Sequence, residues 1–153
     1  RVVVIGGRPS RRALALELGA DAAIDRHAPD MQAEIMEQTD GRKFDVIVEA
    51  TGNPEVMKEI LGYIRPRGRI SMVGLFGSQK GELDLDALVV NNITIKGSLG
   101  SPNVWDETLH LMQCGKVKAS PLITERRPLA EALAVFELME NKQPELIKAI
   151  LAP

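Results

Sequence analysis

The chain has 153 residues, 44% hydrophobic and 26% charged, an ordinary composition for one soluble globular domain with a sizeable core. Its 19 basic and 21 acidic residues leave a net charge of −2, too balanced to favour nucleic acid or a membrane surface as a partner. No apolar run approaches the ~20 residues that span a bilayer, and the single cysteine, Cys114, can form neither an intrachain disulfide nor a zinc cluster; a reduced cytoplasmic setting fits.

Val2 to Ile5 is a continuous β-branched run ended by Gly6-Gly7, predicted to be a fully buried parallel strand. The chain opens on that strand with no initiator methionine or leader pattern, as expected of a truncated protein. Pro9 and Ser10 start a helix carrying Ala13, Leu14, Leu16 and Leu18, which Gly19 stops. A short strand follows at Ala22 to Ile24. Asp30 is placed to cap a second helix bearing Met31, Ile35 and Met36, closed by Thr39-Asp40-Gly41.

Phe44 to Ala50 reads as the next strand. Asn53-Pro54 caps a third helix with Val56, Met57, Ile60 and Leu61 on its apolar face. Pro66-Arg67-Gly68 makes a turn into a buried strand, Arg69 to Gly74. A polar loop from Phe76 to Glu82 leads to a helical stretch at Leu85 to Val90, for which Asp84 and Asp86 are helix-start residues. Ile93 to Ser98 is one more strand. Helices near Val104 to Met112 and Leu129 to Met139 precede a final strand at Leu146 to Leu151.

Strands alternating with helices of about ten residues indicate an α/β fold, a doubly wound parallel sheet. Ligands of such sheets bind beyond the carboxyl ends of the strands. That directs attention to Gly6 to Arg8, Ala50 to Asn53, Gly74 to Ser78 and Ser98 to Ser101. No G-x-G-x-x-G turn occurs in the chain. The first strand here ends instead in Gly6-Gly7-Arg8, where dinucleotide folds keep an acid for the adenosine ribose in the strand after their Gly-rich turn. An acid would repel a 2′-phosphate, whereas glycine leaves room and open N–H donors, and Arg8 adds a fork of charge-assisted hydrogen bonds. Arg11 and Arg12 read as solvated surface arginines.

Taken in order, these segments resemble the medium-chain, zinc-type alcohol dehydrogenases. The carriers are Val-Val-Val-Ile-Gly-Gly-Arg-Pro with Ala-Leu-Glu-Leu-Gly-Ala-Asp and Ile24-Asp25, then Phe44 to Gly52, Arg65 to Arg69 with Val73-Gly74, Ile95 to Ser98, and Leu146 to Ala149. The resemblance implies a Rossmann-like dinucleotide-binding domain over 1–140 that is incomplete, lacking its first strand and Gly-rich turn. It also implies a terminal segment, 141–153, whose strand returns towards a catalytic domain outside the chain.

The resemblance further implies a hydride-transfer enzyme acting on an alcohol or polyol with a nicotinamide cofactor, NADP rather than NAD on the strength of Gly6, Gly7 and Arg8. Ala50, Thr51 and Gly52 would border the adenosine and ribose path, Val73, Gly74 and Leu75 the nicotinamide ribose, and the backbone of Ser98, Leu99 and Gly100 the carboxamide. Lys148 matches a basic position that reaches the pyrophosphate, or is a snorkelling lysine on a terminal strand. Zinc would act as a Lewis acid on the alcohol oxygen, but its ligands and the catalytic residues belong to the absent domain, so these residues alone should be inactive. A homodimer or homotetramer is expected, with Leu88-Val89-Val90 and Ile93 to Ile95 as the candidate surface.

His110 and Cys114 share a helix face, and two ligands make no zinc site. His27 belongs to a surface loop and Trp105 is expected to anchor packing. The alternatives are a zinc-free quinone or enone reductase of the same superfamily, a nucleotide-sensing module, and an S-adenosylmethionine-dependent methyltransferase. The last shares the Phe44 to Val48 strand and Arg-Pro-x-Gly turn but keeps an acid where Gly6-Gly7-Arg8 stands.

Overall fold

A computed structural model describes residues 1–100, 103–141 and 143–153; Ser101, the last residue of one expected ligand-facing segment, lies outside them. The chain forms two compact units, Arg1–Pro29 with Pro102–Pro153, and Asp30–Ser101.

In the second unit, α2 (Met31–Gln38), α3 (Pro54–Tyr63) and α4 (Leu85–Val90) alternate with β3 (Phe44–Glu49), β4 (Ile64–Met72) and β5 (Thr94–Gly97). The strands pair in the order β3-β4-β5, parallel throughout. The helices begin where local chemistry starts them. Asn53 caps α3 by accepting the Glu55 N–H at 2.9 Å, with Pro54 in the first turn, and Asp84 caps α4 by accepting the Ala87 N–H at 2.9 Å. Asp30 occupies the cap position of α2 without a side-chain capping bond.

Ile60, Ile64, Ile70 and Ile93 form the core, with Phe44, Ile47, Met57, Leu61, Met72, Leu83, Leu88 and Ile95 packed around them. Burying four isoleucines contributes several kcal/mol, at roughly 1.5–3 kcal/mol each. Two members correct the expected assembly surface: Leu88 packs against the core and Ile93 is buried, so Val89 and Val90 are the apolar residues of that surface that stand exposed. The expected turn at Pro66-Arg67-Gly68 lies within β4, where the register jumps from Phe44↔Ile64 to Val46↔Arg69. Arg67 adopts φ 60° there and its N–H donates to the Asn91 carbonyl at 2.8 Å.

In the first unit, β1 (Val3–Gly6) pairs in parallel with β2 (Ala22–Asp25) across the helix α1 (Pro9–Glu17). α5 (Trp105–Gln113) follows, then β6 (Ile123–Pro128), α6 (Ala132–Glu140) and β7 (Lys148–Ala152), with β6 and β7 again parallel. Three expectations change here. β1 is half-buried along its length rather than fully buried, because among the described residues its strand ladder is with β2 alone. The strand β6 was not expected. Its Glu-Arg-Arg-Pro run has loop composition, and pairing with β7 rather than intrinsic propensity makes it extended. Trp105 is 65% exposed rather than buried as a packing anchor.

Candidate functional site

At the exit of β1 the chain passes directly into α1. Arg8 is the residue before the helix, extended at φ −94° and ψ 122°, with Pro9 opening the first turn. The Gly6 carbonyl accepts from Arg12 Nη1 at 2.8 Å and from the Arg26 N–H at 3.3 Å. Arg12 also pairs with Asp25 at 2.8 Å, its side chain only 17% exposed. Arg12 is therefore a half-buried strut between the ends of β1 and β2, not the solvated arginine its sequence context suggests. His27 is exposed, as expected of its loop, and its ring lies over Gly7, where a Cβ would come within 2.7 Å of Nε2.

Arg8 is different. Its guanidinium has no hydrogen-bond or ion-pair partner among the described residues. It lines a shallow cleft with Arg11, Met139, Gln143, Leu146 and Ile147, and no carboxylate lines that cleft. Arg11 donates to the Leu146 carbonyl at 3.3 Å, and its pKa is lowered by burial and then by the like charge of Arg8. Two cations facing an acid-free cleft favour an anion between them. Lys148 does not line the cleft; it is the exposed first residue of β7, paired with Ile123, and its neighbours Leu146 and Ile147 are the lining residues.

The other unit gathers the remaining candidates at the exits of β3, β4 and β5. Glu49, the last residue of β3, is 2% exposed. Its Oε1 accepts the Thr51 N–H at 2.7 Å, the Gly52 N–H at 3.1 Å and the Thr51 hydroxyl. The Glu49 backbone carbonyl accepts from Val73 at 2.8 Å and Gly74 at 3.0 Å. Thr51 Oγ1 in turn accepts the Asn53 N–H at 3.1 Å. Ala50, Val73 and Leu75 stand exposed around this knot. At the exit of β5, the Ser98 N–H donates to the Met72 carbonyl at 2.9 Å, Leu99 is 77% exposed and Gly100 has φ 71°.

The two strand exits approach so closely that only glycine fits. A Cβ on Gly74 would lie 2.3 Å from the Gly52 nitrogen and 2.6 Å from Glu49 Oε2. One on Gly52, whose φ is +61°, would lie 2.2 Å from the Leu75 carbonyl oxygen. The structure thus brings Ala50, Thr51, Gly52, Val73, Gly74 and Leu75 together in one unit and Gly6, Gly7 and Arg8 in the other. Sequence reasoning passed over Glu49. The available signal was an acid followed two and three residues later by Thr51 and Gly52, the spacing at which a side-chain oxygen collects backbone N–H groups.

Among the described residues no group of three or more His, Cys, Asp or Glu could hold a metal ion, and no helix is long and apolar enough to cross a membrane. The His110 ring nitrogens lie 3.6 and 3.9 Å from Cys114 Sγ, as their shared helix face implies, without further ligands.

The profile of the zinc-binding dehydrogenases matches residues 1–114. L-threonine 3-dehydrogenase from Pyrococcus furiosus is 34% identical over 142 residues, which cover 89% of this chain and 40% of that protein. A crystal structure of an alcohol dehydrogenase from Thermotoga maritima superposes with a TM-score of 0.89 at 34% identity, covering 100% of this chain and 43% of that one. An alcohol dehydrogenase from Escherichia coli, solved with NADH, gives a TM-score of 0.89 at 25% identity, over 100% of this chain and 44% of its own. The chain spans about 40% of the length of the curated relative, and its fold is a partial, Rossmann-like α/β domain.

Proposed function

The chain belongs to the zinc-binding dehydrogenase family, and from that premise we propose that it is the nucleotide-binding part of an oxidoreductase moving hydride between an alcohol or polyol and NADP. In this reading residues 1–140 hold the dinucleotide, and 141–153 carry the final strand towards a catalytic domain outside the chain. The nicotinamide, when bound, supplies the hydride acceptor or donor. The residues present here bind and orient it; they do not perform the proton chemistry.

The carrying observation is Arg8, a guanidinium with no partner among the described residues, lining an acid-free cleft at the exit of β1. A 2′-phosphate brings close to two negative charges, and an arginine fork beside the Gly6-Gly7 backbone is a sufficient receiver. Ala50, Thr51 and Gly52 then border the adenosine and ribose, Val73, Gly74 and Leu75 the nicotinamide ribose, and Ser98, Leu99 and Gly100 the carboxamide. Lys148 is assigned to the pyrophosphate.

Zinc does not fit the residues in hand, because no three suitable donors converge among those described. Its ligands are assigned to the catalytic domain, with the substrate pocket. The exposed Val89 and Val90 are assigned to a subunit interface. The single cysteine agrees with a cytoplasmic setting.

Steady-state kinetics of the full-length enzyme with both cofactors test the assignment. Arg8→Ala should raise KM for NADP about 10- to 100-fold, the equivalent of ~1.5–3 kcal/mol for a lost charge-assisted contact, and leave NAD nearly unchanged. A wild type that prefers NAD, or an Arg8→Ala variant that harms both cofactors equally, would refute it.

A further inference from the structure

Glu49 is the one buried charged residue among the described side chains, and hydride transfer as proposed makes no use of it. A buried carboxylate is costly unless its oxygens are engaged, and here Oε1 carries most of that engagement. Oε1 gathers the Thr51 N–H, the Thr51 hydroxyl and the Gly52 N–H, while Oε2 lies 3.4 Å from the Gly52 nitrogen. The main chain of the same residue holds the next strand exit through the Val73 and Gly74 amides. One residue therefore fixes both turns, side chain to the exit of β3 and carbonyl to the exit of β4. The absence of a Cβ at Gly52 and Gly74 lets those turns touch.

We infer that Glu49 is a positioning residue for the dinucleotide: it locks the two strand exits into a single platform whose amides are already engaged. A cofactor meeting this platform is recognised by shape and by contact with the exposed Ala50 and Leu75. No phosphate is bound by the Thr51 or Gly52 amides, since both already donate to Glu49. The inference rests on the reading of these turns as cofactor-facing.

Three substitutions in the full-length enzyme, followed by NADPH fluorescence titration and steady-state kinetics, test it. Glu49→Asp withdraws the carboxylate by one methylene and takes the acceptor away from two part-buried N–H groups. It should raise the NADPH dissociation constant about tenfold or more, with kcat at saturating cofactor and KM for the alcohol within about twofold of wild type. Glu49→Gln keeps an oxygen in the Oε1 position and should restore affinity to within about threefold. A residue serving stability alone would lower the melting temperature without this split between affinity and kcat.

Wild-type affinity in Glu49→Asp, a fall in kcat at unchanged affinity, or a Glu49→Gln variant as weak as Glu49→Asp each overturns the inference. Should Glu49→Asp fail to fold, Thr51→Val replaces the hydroxyl of an exposed residue with a methyl, removing its bonds to Glu49 and to the Asn53 N–H. It should still weaken NADPH by about threefold, and no change there overturns the inference equally. Ala50→Tyr separates this from the parent reading. It should obstruct NADPH by about tenfold or more if the turns face the cofactor. If it does not, both fail, whereas a blocked Ala50→Tyr beside a wild-type Glu49→Asp removes only the role of Glu49.

Discussion

The exit of β1 and the joined exits of β3 and β4 are built in opposite ways. At β3 and β4 the backbone is closed on itself: a buried carboxylate takes the turn amides, two glycines touch, and no cation is involved. At β1 the chemistry is charge: Arg8 has no partner among the described residues, and a Cβ at Gly6 meets nothing closer than Arg12 Cγ at 3.9 Å, although one at Gly7 would meet the His27 ring. The first region is defined by what cannot be added to it, the second by what it lacks. Substitutions at β3 and β4 should therefore damage the fold before they alter selectivity, and substitutions at β1 should do the reverse.

The largest effect expected of that comparison is at Gly52. Alanine there suffers twice, from a left-handed φ of +61° and from a Cβ 2.2 Å from the Leu75 carbonyl oxygen, a backbone atom that cannot swing aside. The left-handed conformation costs ~1–2 kcal/mol and the overlap ~1–3 kcal/mol, so Gly52→Ala should destabilise by about 3 kcal/mol. The melting temperature of the full-length protein should fall by roughly 4 °C, since the shift per kcal/mol shrinks with chain length. A shift below about 2 °C would mean the two turns separate easily, and the rigid half of the comparison would go.

Gly6→Asp is the converse. The site has room for the side chain, so the melting temperature should hold, but a carboxylate at the exit of β1 repels a 2′-phosphate and offers an acceptor to a ribose. The ratio of kcat/KM for NADP to that for NAD should fall by about 10- to 100-fold. An unchanged ratio would mean that charge at β1 does not select the cofactor. A large loss of stability would mean that this exit is as tightly built as the other.

The same division explains how much could be read from the sequence. The alternation of elements was legible because helices such as α3 and α4 carry their own start signals, at Asn53-Pro54 and Asp84, and most core strands their own apolar run. The family was legible from the ordered set, and its assignment removes the methyltransferase alternative. What stayed hidden depended on partners distant in the chain. β6 is a strand because β7 lies beside it. Arg12 is a strut because Asp25 ends the strand next to β1. Leu88 and Ile93 belong to a core assembled around residues 60, 64 and 70. At the candidate site, Gly6, Gly7 and Arg8 stood out as a break from the usual acid. Glu49 did not, since its burial is set by the meeting of two turns more than twenty residues apart.

The smallest expected effect tests whether position near the rigid turns is what makes a carboxylate matter. Asp45 lies on β3 four residues before Glu49. Arg65 donates to Asp45 through Nε, and this hydrogen bond, followed by the arginine's charge, holds the carboxyl below its ordinary range. The side chain of Asp45 is 76% exposed and that of Arg65 39% exposed, so water and salt screen the pair. A depressed folded-state value contributes stability above the unfolded pKa, about 3.9, and that contribution is lost as pH falls through the folded value. Asp45→Asn should therefore melt only slightly below wild type at pH 7, the gap shrinking with added salt and closing in strong acid. Thermal melts across pH and ionic strength check this. A large gap at pH 7, or one that persists in acid, would mean that Asp45 is held as Glu49 is, and that burial is not what separates the two.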